Sequence, residues 1–281
     1  MDALRFGLRR DYPKKVTRFD RTRIEFVYYG DVNNAFLVPE GHDLVTDAAG
    51  RRKTLRALQS HRKADFNKTV YNRLPGKNAA KEFVADALGG ILSAIGISDR
   101  LIELIAPDVR EYWNTASEFG TRVRHPMIRP LKLAMNRNDR IMVIAHSLGS
   151  MIAYDTFWKF SRMGEYRPRY TDKNIDLFVS IGSPLGDETV KKHLKGADGE
   201  GKLRYPSNIK RWVNMAAEDD FVAHDERVAN DFQAMLEYNL VQSIEDHRIY
   251  NLAIRNGKSN PHHGAGYLIH PLMARTVADW L

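Results

Sequence analysis

A chain of 281 residues with 43% hydrophobic and 28% charged side chains can bury one large core and has the composition of a soluble globular domain. No apolar run approaches the roughly eighteen residues of a membrane span, and the N-terminus lacks the charged-then-apolar layout of a secretory signal. The absence of cysteine excludes disulfides, thiolate metal sites and a cysteine nucleophile; it says little about compartment, for which the cytoplasm is the default expectation. The net charge of +8 sits in residues 1–77, which hold 17 basic against 9 acidic side chains, whereas the remaining 26 and 26 cancel.

These basic residues are scattered among acids and apolar positions without an aromatic-interleaved motif. They read as a solvated face rather than a specific nucleic-acid or lipid surface. In chain order, the first strand is expected at Ile24–Tyr29, a β-branched and aromatic run that ends at Gly30-Asp31. From about His42 to Met135 no strand pattern occurs. A basic segment breaks at Pro75-Gly76, and a helix pattern with a broad apolar face follows over Ala79–Ile97. This stretch, residues 42–135, reads as a helical insertion in a single domain over 1–281, packed on the core or acting as a lid.

Beyond it, strands are expected at Ile141–Ala145, Asp176–Ile181 and Ile209–Met215, with a weaker one at Arg248–Ile254. Helix patterns occupy Ser150–Met163, Glu226–Glu237 and Pro271–Leu281. Strands that alternate with helices, several of them apolar on both sides, imply an α/β fold with a mostly parallel sheet flanked by helices.

The sharpest signal is the run Ile141-Met-Val-Ile-Ala145-His146-Ser147-Leu148-Gly149-Ser150. An apolar strand feeds a small residue, then x-Ser-x-Gly, then an amphipathic helix. That layout lifts a serine hydroxyl on a strained turn toward a base, and the Leu148 N–H at the helix start can donate to a developing oxyanion. Side chains two before and two after the serine are expected to crowd across the turn, and Ala145 and Gly149 are small.

These residues resemble the α/β-hydrolase superfamily, especially bacterial serine hydrolases of the esterase and lipase kind that carry Val143–Ser150 followed by Met151–Asp155. The likeness continues through Ile181-Gly182-Ser183-Pro184-Leu185 to the C-terminus. It implies the chain order nucleophile, acid, histidine. Asp220-Phe221-Val222 stands where the family has Asp-Pro-Val, so Asp220 is the implied acid, with Asp219 as the alternate. Between the last strand and final helix, Pro261-His262-His263-Gly264-Ala265-Gly266-Tyr267-Leu268 supplies the base. The family's spacing to Tyr-Leu favours His263 over His262. His146 is expected to face away from the base. No further His, Asp or Glu stands at zinc-site spacing, so neither metal nor cofactor is expected.

One feature of the family is missing, since no His-Gly dipeptide precedes the serine. Met1–Leu8 resembles the helix that follows the His-Gly strand. Either the first strands are lacking, with a crippled oxyanion hole, or Ile24–Tyr29 takes the central place and Gly30-Asp31 donates the second N–H. The implied activity is hydrolysis of a small-molecule carboxylic ester through an acyl-enzyme. The alternatives are acyl transfer by the same three residues and a catalytically dead scaffold.

Overall fold

The computed structural model describes residues 1–30, 32, 48–76, 107–223 and 227–281. Its centre is a four-stranded sheet in spatial order β1-β2-β3-β4, every neighbour parallel. The strands are β1 (Met142–His146), β2 (Leu177–Ile181), β3 (Arg211–Ala217) and β4 (Ser243–Ile249). Before the sheet come α1 (Asp2–Asp11), α2 (Val16–Arg21), α3 (Ala48–Gln59), α4 (Lys68–Tyr71), α5 (Pro107–Trp113) and α6 (Phe119–Asn136). After β1 come α7 (Leu148–Arg162) and α8 (Arg167–Tyr170), and after β2 comes α9 (Glu188–His193). Then α10 (Val228–Asp231) and α11 (Gln233–Glu237) follow β3, while α12 (Gly264–Ile269) and α13 (Pro271–Trp280) close the chain.

The alternation of side chains along β2 and β3 builds two cores. Leu177, Val179, Ile181, Val213, Met215 and Ala217 face one side, where Leu4 and Leu8 of α1 and Met273 and Val277 of α13 cover them. Phe178 and Trp212 face the other side with Val123 of α6 and Met151, Tyr154 and Phe157 of α7. All five residues of β2 are buried, because a parallel strand covered by helices on both faces has no wet side. On the α7 face, Trp212 Nε1–H donates to Ser180 Oγ, Ser180 Oγ–H to Asn214 Oδ1, and Asn214 Nδ2–H to Asp246 Oδ1, at 2.8, 2.8 and 3.1 Å. Ser180, Asn214 and Asp246 are register partners on three adjacent strands. The buried polar groups therefore satisfy one another across the sheet.

Two strand expectations are corrected. Ile24–Tyr29 makes no ladder; Ile24, Phe26 and Tyr28 are exposed, and only Val27 and Tyr29 pack against the core. Its period-2 pattern is real, but the face that carries Ile24, Phe26 and Tyr28 points to water, where Phe26 and Tyr28 stack on each other. Among the described residues, β1 accordingly pairs only with β2 and forms one edge of the sheet. At the other edge, the last strand lies at Ser243–Ile249 rather than Arg248–Ile254. Its Glu245-Asp246-His247-Arg248 core reads as loop, yet an edge strand can place such groups in solvent or use them as caps. Asp246 does the latter, accepting from the Ala229 N–H of α10.

The Arg255-Asn256-Gly257 turn signal belongs instead to a short antiparallel hairpin, β5 (Ile254–Arg255) with β6 (Lys258–Ser259). Asn256 and Gly257 take φ of 52° and 78°, the left-handed pair that a tight hairpin turn requires. The described parts of 42–135 are helical and carry no strand. The helix pattern over Ala79–Ile97 lies outside the described residues, as does Glu226. No helix among the described residues is long and apolar enough to cross a membrane.

Candidate active site

Ser147 stands alone between the end of β1 and the start of α7, with φ 56° and ψ −134°. A non-glycine residue held there stores strain of about 1–3 kcal/mol, which the surrounding structure must enforce. Several hydrogen bonds do so. The Ser147 N–H donates to Ile181 O at the tip of β2 (3.2 Å), and its carbonyl accepts from the Ser150 N–H (2.9 Å) and Ser150 Oγ–H (2.6 Å). With that proton committed, Ser150 Oγ accepts from Ser183 Oγ–H at 2.7 Å, and Ser183 Oγ accepts from the Leu185 N–H. The turn is thereby tied to the loop after β2. Leu148, as the first residue of α7, has an N–H with no intrahelical acceptor. The expected crowding at Gly149 is not found, since a Cβ there would meet nothing nearer than Tyr29 Oη at 3.8 Å.

Three loops at the C-terminal ends of the strands converge on the Ser147 hydroxyl. His262 Nε2 lies 3.0 Å from Ser147 Oγ, and His262 Nδ1 lies 3.0 Å from both Asp220 oxygens. A carboxylate only accepts, so Nδ1 carries a proton, and the ring in its neutral form presents a bare Nε2 to the serine hydroxyl. The Asp220 side chain is fully buried. Burial pushes its pKa up, but the hydrogen bond and charge of His262, then the bonds from Tyr267 and the Val222 N–H, outweigh it and hold the carboxyl below its ordinary value.

The assignment of the base to His263 is corrected. His263 caps α12, its Nδ1 accepting from the Ala265 N–H at 3.2 Å, and the contacts to Ser147 and Asp220 are made by its neighbour. Burial, then the charges of Arg255 and Arg51, lower the His263 pKa to about 4, which keeps that capping nitrogen bare. The missed signal was the onset of a helix at Gly264: the residue just before a helix commits its side chain to the first turn. Of the two acids, Asp220 reaches the histidine. Asp219 sits at φ 61° and accepts from the Tyr71 hydroxyl of α4 at 3.0 Å.

The expectation for His146 is also overturned. Its ring lies 4.6 Å from that of His262, and its Nε2–H donates to the His262 carbonyl at 2.8 Å. Burial, reinforced by the neighbouring His262, pushes the His146 pKa down to about 4, so it serves as a neutral donor to the loop that carries His262. Asn251, just after β4, holds the same loop, donating through Nδ2 to Pro261 O and His263 O at 2.7 and 3.1 Å. Gly266 must lack a side chain for this, because a Cβ would fall 1.7 Å from Asn251 Oδ1.

Gly182, after β2, takes φ 52°, and a Cβ there would lie 3.0 Å from Asp220 Oδ2 and 3.2 Å from His262 Nδ1. It stood in the sequence as part of a motif, without this reason. Asp31 lies outside the described residues. Among the described residues, no group of three or more His, Asp or Glu could hold a metal ion.

No protein-family model matches the chain, and neither a characterised protein nor a solved structure does.

Proposed function

We propose that this chain is a serine hydrolase of the α/β-hydrolase kind that cleaves a small carboxylic ester through an acyl-enzyme. The reading is carried by one chain of contacts: Ser147 Oγ, His262 and Asp220 linked at 3.0 Å per step, with the serine on a strained strand-to-helix turn. A nucleophile, a base oriented toward it and a buried carboxylate fixing the base's tautomer are the parts that acyl transfer to serine requires.

In the proposed first step, Ser147 Oγ bonds to the ester carbonyl carbon while its proton passes to His262 Nε2. The carbonyl oxygen gains negative charge, which the Leu148 N–H can receive at the positive end of α7. Collapse of the adduct breaks the bond to the alkoxy group, which leaves with the proton from His262. Water then attacks the acyl-enzyme by the same route in reverse, releasing the acid and restoring the serine hydroxyl. Asp220 stays ionised and stabilises the imidazolium formed in each half-reaction.

A second reading, an impaired enzyme kept as a scaffold, is favoured by the open outer edge of β1, beside which no described strand stands to carry a second oxyanion donor. Turnover of p-nitrophenyl acetate by the purified chain, and its loss in Ser147→Ala, separates the two. Steady hydrolysis that vanishes with the serine supports the hydrolase. A wild-type rate no higher than that of Ser147→Ala leaves only the scaffold.

A further inference from the structure

Tyr267 of α12 is fully buried, and its hydroxyl has no freedom of orientation. It accepts from the Ala217 N–H at 2.8 Å and lies 2.5 Å from Asp220 Oδ2. Because an amide only donates and a carboxylate only accepts, the phenol proton must lie on the Asp220 side. Asp220 therefore receives donors beyond His262 on both oxygens: Tyr267 on Oδ2, and the Val222 N–H on Oδ1 at 3.0 Å. Burial and the adjacent Asp220 charge raise the Tyr267 pKa well above its ordinary value, so the phenol keeps that proton.

We propose that Tyr267 is a positioning residue for the acid–base pair, one that withdraws charge from Asp220 and so sets the pH at which His262 becomes competent to accept the Ser147 proton. The proposal rests on the reading of Ser147, His262 and Asp220 as a catalytic unit. A carboxylate already engaged by two fixed donors attracts an imidazolium less strongly than a bare one, because part of its charge is spent on those bonds. The acid side of the rate profile then extends further down.

The other titratable and charged groups around the pair come from every side. The ring of His146 of β1 lies 4.6 Å from that of His262, tilted by 33°. Asp219 of the same turn is held by Tyr71, Glu218 is held by Arg248 of β4, and His263 adjoins His262 and feels the charges of Arg255 and Arg51. None of these donates to Asp220, which leaves the phenol as the titration-insensitive side-chain donor.

The test compares the pH dependence of covalent capture of Ser147 by a fluorophosphonate, from pH 4.5 to 9, in wild type and Tyr267→Phe. The phenylalanine keeps the ring that packs beside Gly182 and His146. The acid limb should move up by about one pH unit, and the downfield NMR signal of the His262 Nδ1 proton should move further downfield as the carboxylate becomes more basic. Incorporation of 3-fluorotyrosine at position 267 strengthens the donor and disturbs packing least, and should move both readouts the opposite way. An acid limb and a downfield signal that stay put in both variants overturn the proposal, even if the plateau rate falls, since a purely structural tyrosine predicts that pattern. If wild type is not captured at all, the hydrolase reading fails separately, and the NMR signal alone decides whether the phenol governs the pair.

Discussion

Replacing His262 and His263 one at a time by alanine gives sharply different outcomes under the geometry described above. His262→Ala removes the group 3.0 Å from Ser147 Oγ and leaves the hydroxyl with no base. Among the described residues, it also leaves the buried Asp220 carboxylate with only Tyr267 and the Val222 N–H as donors. Loss of a positioned base costs about 10²–10⁴-fold in rate, and more where base and nucleophile act as one unit. We therefore expect ester hydrolysis to fall at least about 10³-fold. His263→Ala removes only a helix cap, the bond to the Ala265 N–H. That costs about 1 kcal/mol, roughly 2–4 °C in melting temperature for a domain of this size, with the rate within a few-fold of wild type. The assay is initial-rate hydrolysis of p-nitrophenyl acetate alongside thermal melts that verify folding. A folded His262→Ala that retains activity, or a folded His263→Ala that loses it, would refute the assignment of the base.

Two further outcomes follow from the same contacts. Gly182→Ala forces an L side chain to φ 52° with its Cβ 3.0 Å from Asp220 Oδ2 and 3.2 Å from His262 Nδ1. A displacement of the pair by a few tenths of an ångström should lower kcat by about 10²-fold with KM little changed, and wild-type kinetics in this variant would contradict the proposed packing. Stability should also fall on the acid side. Burial lowers the pKa of His146 to about 4 and that of His270 to about 3, each from an ordinary 6.5. The unfolded chain therefore binds more protons than the folded one between those values, and stability rises with pH through that window and is lost as pH falls from about 6.5. For His146 the full loss is on the order of 3 kcal/mol. Asp220, held below its ordinary 3.8, contributes in the same sense but loses its share only at lower pH still. His270→Asn keeps an acceptor for the Leu272 N–H at the start of α13 while removing one of these groups. Melts at pH 7.5, 6 and 4.5 should show a shallower acid decline than wild type, and an identical decline would count against the buried neutral ring.

Much of the sheet and half of the candidate site were legible in the residues themselves. Apolar runs such as Leu177–Ile181 announce a strand covered on both faces. The strand, small residue, serine and amphipathic helix around Ser147 announce the turn, whose strain is now seen in its φ of 56°. Asp220 was reached only through the chain order and the Asp-Pro-Val form that the family resemblance implies. What remained hidden depends on neighbours distant in sequence. Whether Ile24–Tyr29 pairs with β1 is decided by tertiary contacts, not by its alternation, and the charged β4 is a strand because an edge can tolerate its acids. His262 and His263 are indistinguishable by composition, and the six-residue helix that claims the second of them is too short to show a period. The contacts of Tyr267 and His146 with the pair, and the space that Gly182 leaves beside it, come from three separate segments and are visible only once those segments are brought together.

The most direct measurement quenches a reaction with p-nitrophenyl acetate in acid during turnover and locates the acetyl group by peptide mass. Acetylation confined to Ser147, accumulating in wild type and absent in His262→Ala, is the result this account predicts. Steady hydrolysis without any acetyl on Ser147, or with the label on another side chain, would contradict it.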